Sequence, residues 1–101
     1  MPTHFMTDEE ILKAMGERIT RHRLAQNITQ EDLAVHAGVS RSSVRAIERG
    51  DAVNMAIIVK VLRSLRLLHH FFASIPEIEV DMHWFIKNQP PERKRARKEK
   101  S

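Results

Sequence analysis

Apolar residues recur along this chain in steps of three to five, and each run is bounded by residues that start or stop helices. Thr7 and Glu10 have the spacing of a capping box, and Asp8, Glu9 and Glu10 suit the positive end of a helix dipole. Ile11, Leu12, Met15, Ile19 and Leu24 follow as one stripe expected to be buried, and that helix should end near Gln26 or Asn27. Thr29, with Asp32 three residues on, opens a second helix whose short inner face, Leu33, Ala34 and Ala37, stops at Gly38. Ser40 caps a third, with Val44 and Ile47 inward and Gly50 as a left-handed stop. Asn54 caps a fourth with Ile57, Ile58, Val61, Leu62 and Leu65 inside, and Leu67, Leu68, Phe71, Phe72 and Ile75 extend the core in a fifth that Pro76 closes. The one brief alternation, IPEIEVDM, leaves room for a short strand without changing the all-α reading. The pattern predicts an all-α, five-helix domain over residues 7–76.

Two short helices joined through a glycine with an apolar residue directly after it describe a helix-turn-helix, here over about Gln30 to Arg49. In that motif the second helix enters the DNA major groove.

Composition narrows the alternatives. With 101 residues and 42% hydrophobic content, the chain builds one compact core and leaves little room for a deep catalytic cleft. It has no cysteine, so neither a disulfide framework nor a thiolate zinc site is possible, and a reducing, cytoplasmic setting is the expectation. The N-terminus lacks the pattern of a secretory signal, and no stretch approaches the roughly 20 apolar residues that span a membrane. Six histidines, at 4, 22, 36, 69, 70 and 83, show no HExxH context and no clustered carboxylates, so no metal and no cofactor is expected. Ser40, Ser42 and Ser43 lack a strand-turn-helix elbow and a base and acid at recognisable spacing, so no enzymatic activity is expected either.

The net charge of +4 is concentrated at one end. Glu92 to Ser101 holds Arg93, Lys94, Arg95, Arg97, Lys98 and Lys100 against Glu92 and Glu99, so the rest of the chain is balanced. Any basic surface on the folded part must then come from arginines segregated to one face. Arg41, Arg45 and Arg49, at four-residue spacing, are read either as an ordinary solvated face or, given the motif around them, as a DNA-contacting one.

The stretch TQEDLAVHAGVSRSSVRAIERG resembles the Cro/Xre-type helix-turn-helix family of phage repressors and bacterial antitoxins, over roughly Ile11 to Leu68. The resemblance implies a lambda-repressor-like fold. It also implies that Gln30 binds a DNA phosphate and braces the recognition helix, and that the start of that helix, Arg41, Ser42, Ser43 and Arg45, lies at the DNA. An arginine there can donate two parallel hydrogen bonds to guanine O6 and N7, worth roughly 1–3 kcal/mol of discrimination. Base contacts are therefore expected from Arg41, Ser42, Arg45 and Ala46, and backbone contacts from Gln30, Ser40, Ser43 and Arg49. The family's pairing of a late first-helix arginine with the glutamate before the glycine implies a structural pair of Arg23 with Glu48.

The C-terminal extension, residues 77–91, sets Val80, Met82, His83, Trp84, Phe85 and Ile86 beside acidic residues. It is read as a dimer-forming helix, a patch for another protein with Trp84 and Phe85 as contacts, or simply core closure. Beyond Pro90 and Pro91, the basic tail of residues 92–101 is expected to be mobile and suited to DNA phosphates, to an acidic partner, or to solubility alone. An SIPE segment, an aromatic stretch and an RKRAR tail after such a domain are similar to HipB-type antitoxins. That resemblance implies a homodimer on a palindromic operator of double-stranded DNA and a HipA-like kinase toxin as partner. A phage-type or metabolic repressor without a toxin is the alternative.

Overall fold

The computed structural model describes residues 3–79 and 82–88, with Phe85 described in its backbone only. A 3₁₀ turn, Thr3–Phe5, precedes α1 (Asp8–Ala25), α2 (Gln30–Ala37), α3 (Arg41–Arg49), α4 (Met55–Ser64), α5 (Leu68–Ala73) and α6 (Met82–Lys87). Among the described residues there is no strand: residues 76–79 of the alternating segment are irregular, Met82 opens a helix, and residues 80–81 lie outside the described ones. The basic tail and the mobility expected of it also lie outside them. No described helix is long and apolar enough to cross a membrane.

The helix starts follow the side chains that cap them. Thr7 and Thr29 form reciprocal capping boxes with Glu10 and Asp32, and Ser40 and Asn54 accept hydrogen bonds from the backbone N–H groups of Ser43 and Ile57. The ends share one device. After each of α1 to α4 a residue takes the left-handed conformation, Asn27, Gly38, Gly50 and Arg66. The next amide then reaches back across the last turn: Ile28 to Arg23, Val39 to Ala34, Asp51 to Ala46 and Leu67 to Leu62. This arrangement satisfies carbonyls that the helix itself leaves open. The Gln26 side chain adds a bond of 3.1 Å to the Leu65 carbonyl, tying the end of α1 to that of α4.

α3 packs on α1, α2 and α4, and α4 also packs on α2 and α5. The core they enclose consists of Ile19, Leu33, Ala34, Val44, Ile47, Val61, Leu62 and Leu65, with Leu67, Leu68 and Phe71 partly buried against it. Two expectations are corrected. On α1 the buried positions are Gly16, Ile19 and Arg23, whereas Leu12, Met15 and Leu24 are exposed. α1 has turned its small and charged positions toward α3, because a Cβ on Gly16 would stand only 2.5 Å from the Ile47 carbonyl oxygen. Backbones that meet this closely admit no apolar side chain between them. Phe72 on α5 and Ile75 beyond its end are exposed as well, since the helix stops at Ala73 and turns only one short face to α4.

Candidate nucleic-acid interface

α3 is divided lengthwise. Val44 and Ile47 are buried, while Arg41, Ser42, Arg45 and Arg49 stand in solvent on the opposite face. Residues three and four apart share a helix face, so these four form one polar surface. Ala46 and Ser43 are half-buried at its margins, which leaves Ala46 only a partial outward surface. At the N-terminus, the Ser40 hydroxyl caps the helix at 3.1 Å from the Ser43 amide and shares a hydroxyl cluster with Ser42 at 3.2 Å and Ser43 at 2.8 Å.

The rear of α3 is held by an ion pair. The Arg23 Nε donates to Glu48 Oε2 at 2.7 Å and its Nη2 to Oε1 at 3.1 Å, while Nη1 donates to the Ile28 carbonyl at 2.8 Å. The Gln30 amide donates to Glu48 Oε1 at 3.0 Å. One carboxylate thus binds the end of α3 to both α1 and α2, and its shortest bond is from a charged guanidinium. Burial alone raises the Glu48 pKa, but the hydrogen bonds from Arg23 and Gln30 and the Arg23 charge outweigh it and hold the carboxyl below its ordinary 4.5. Among the described residues no buried side-chain nitrogen or oxygen lacks a partner.

Gln30 is therefore engaged as a brace, with its second amide hydrogen left for another acceptor. Arg41 reaches back over the start of α2, where it lines a shallow polar cleft of about 590 Å³ with Arg23, Asn27, Thr29, Gln30 and Glu31. Asn27 and Glu31 were not singled out by spacing. The Asn-Ile-Thr entry to α2 was their only signal, and Glu31 brings a negative charge beside Arg41 and Gln30. Arg49 lies apart at the far end of α3, paired with Asp51 at 2.8 Å through Nε. Trp84, on α6, is not brought to this surface by α3; it stands exposed in the extension. Among the described residues no cluster of three or more histidines and carboxylates is disposed to hold a metal.

An exposed polar helix with its back sealed to two others is the reading unit of a DNA-binding helix-turn-helix domain, and this chain is a DNA-binding transcription regulator of that class. The helix-turn-helix family model matches residues 19–70, half of the chain, and the chain belongs to that Cro/C1-type family. No curated protein matches the sequence.

Proposed function

We propose that the protein is a sequence-specific repressor in which α3 lies in the major groove and reads bases through Arg41, Ser42 and Arg45. The observation carrying this reading is the outward row of Arg41, Ser42 and Arg45 on a helix whose other side is clamped by Glu48. Ala46 contributes at most a methyl contact from its half-buried position. Ser40, Ser43, Arg49 and the free amide hydrogen of Gln30 hold phosphates, which fixes register without reading sequence. Two copies set two such helices in successive major grooves of a palindrome, roughly 34–36 Å apart, and exclude polymerase.

Within this class we favour an autoregulating antitoxin paired with a HipA-like kinase toxin, supported by the SIPE segment, the aromatic stretch around Trp84 and Phe85 and the RKRAR tail. The region after Pro76 then serves protein contacts, with a second copy or with the kinase, and no chemistry is assigned to the chain itself. A neighbouring gene of unrelated kind would favour a phage-type or metabolic repressor instead.

Selection of binding sites from random duplex DNA, followed by affinity measurements on the winners and on mismatched sites, tests the readout. Arg41→Ala should relax preference at one base position by about 1–3 kcal/mol, whereas Gln30→Ala should weaken all sites nearly equally. A uniform loss for Arg41→Ala would remove it from the reading row.

A further inference from the structure

On the side of the domain away from the Arg23–Glu48 pair, α1, α4 and α5 leave an open groove of about 840 Å³. Its walls are Leu12 and Met15 of α1, Met55 and Ile58 of α4, Leu67 just before α5 and Phe71 on it. Leu12, Met15 and Met55 are exposed in it. The same chain carries an apolar segment with nowhere to go. α6 reads MHWFIK, and Met82, Trp84 and Ile86 are all exposed, Trp84 by 58%. His83 and Lys87, four residues apart, share one face of α6 and leave the rest of it apolar, and six residues are too few to hold a helix in water without packing.

We infer that the groove receives α6 of a second copy of this chain, exchanged reciprocally so that one contact is made twice about a twofold axis. Within one protomer Leu12, Met15 and Met55 of the groove and Met82, Trp84 and Ile86 of α6 are all exposed, and a second copy covers both sets in one symmetric contact. Charge favours the fit. The groove rim carries Arg18 and His22 toward the C-terminal end of α1, while at the other end Asp51 is already paired with Arg49. The incoming segment has Glu77 and Glu79 ahead of α6 and Lys87 at its end. Run antiparallel to α1, it sets its acidic entry at Arg18 and His22. An aromatic side chain buries about 150–250 Å². With Met82 and Ile86 beside Trp84, the groove walls they cover, and all of this doubled by symmetry, the exchange reaches the order of the 1,200–2,000 Å² that a stable pair needs.

This inference rests on the proposed pairing of two copies, and it is tested without DNA so that its outcome is separate from base reading. Trp84 is the only tryptophan and the chain has no tyrosine, so the emission of the full-length protein reports α6 alone. Emission should move to the blue as concentration rises, over the same range in which sedimentation shows one chain becoming two. Ile86→Glu, which spoils the helix, and Met15→Glu, which spoils the groove, should each weaken pairing at least tenfold. Mixed in equal amounts they should pair again, because the heterodimer keeps one intact helix in one intact groove. Should Met15→Glu lose helical content, Leu12→Gln on the outer edge of the groove replaces it. Blue emission at every concentration from a monomer would place α6 in its own groove and overturn the exchange. So would a dimer that survives both substitutions, a mixture that stays monomeric, or emission that shifts only when a kinase-class partner is added.

Discussion

Along α1, Gly16, Ile19 and Arg23 are buried, whereas Leu12 and Met15, at the open groove toward α4 and α5, are 39% and 42% exposed. The exposed apolar residues thus line the open groove, and the close contact with α3 is made by a glycine, one isoleucine and a charge. Each side also owns an arginine–carboxylate pair. Arg23 and Glu48 have side-chain exposures of 10% and 7%, while Arg49 and Asp51, at the groove end, have 60% and 47%. The difference separates two tasks. Close backbone approach and a saturated carboxylate fix the angle at which α3 is presented, and the open apolar side is left for another surface.

If that division is right, the largest loss comes from the smallest addition. Gly16→Ala puts a methyl group 2.5 Å from one carbonyl oxygen of α3 and 2.7 Å from the next, both backbone atoms that cannot rotate away. Overpacking of this kind costs about 3 kcal/mol or more, and chemical denaturation followed by circular dichroism should show it. A stability equal to the parent's would mean that α1 and α3 are not held at this distance.

Arg23→Met comes next. It keeps the apolar stem but strips Glu48 of its two guanidinium bonds and leaves the Ile28 carbonyl without its donor. Breaking a buried pair from one side costs about 3 kcal/mol. Acid titration examines the same pair from the other partner. The folded pKa of Glu48 lies below its unfolded value, so its contribution is fully present above about pH 4.5 and is lost as pH falls through the folded value. Glu48→Gln should flatten that acid limb; a limb unchanged in slope would assign it to other carboxylates.

How far the sequence could be read follows the same divide. Caps declared themselves: Thr7, Thr29, Ser40 and Asn54 each stand where their helix begins, because a short oxygen-bearing side chain before an apolar run has few other uses. Gly38 and Gly50 marked their ends, and with them the bounds of the helix-turn-helix. The outward row of α3 was legible for the same reason, since Val44 and Ile47 fix which face is inward. The inward face of α1 was not legible, because apolar spacing looks for large side chains and cannot score Gly16 or Arg23. Nor does spacing reveal that Leu12, Met15, Phe72 and Ile75 face solvent, which depends on where α4 and α5 stop. Arg66 takes a φ of 64°, a left-handed conformation that a glycine would suit. A side chain in that conformation costs about 1–2 kcal/mol, part of which the greater freedom of unfolded glycine cancels. Arg66→Gly should therefore stabilise the domain by about 0.5–1 kcal/mol, read as a higher denaturation midpoint.

The smallest effect belongs to Asp51→Ala. Its carboxylate touches only Arg49, both groups are largely in solvent, and the backbone amide that closes α3 on the Ala46 carbonyl is untouched by the substitution. Exposed pairs of this kind contribute about 0–1 kcal/mol, so the denaturation midpoint should barely move. DNA affinity should respond instead. Arg49 lies at the end of the outward row, and without Asp51 it gains a full charge to set against a phosphate. Affinity at low salt should rise for matched and mismatched sites alike, and the dependence on salt should steepen by up to about one counterion. Were the domain to lose stability while DNA binding stayed fixed, Asp51 would belong with Glu48 as part of the clamp, and the contrast between the two sides of α1 would fail at that point.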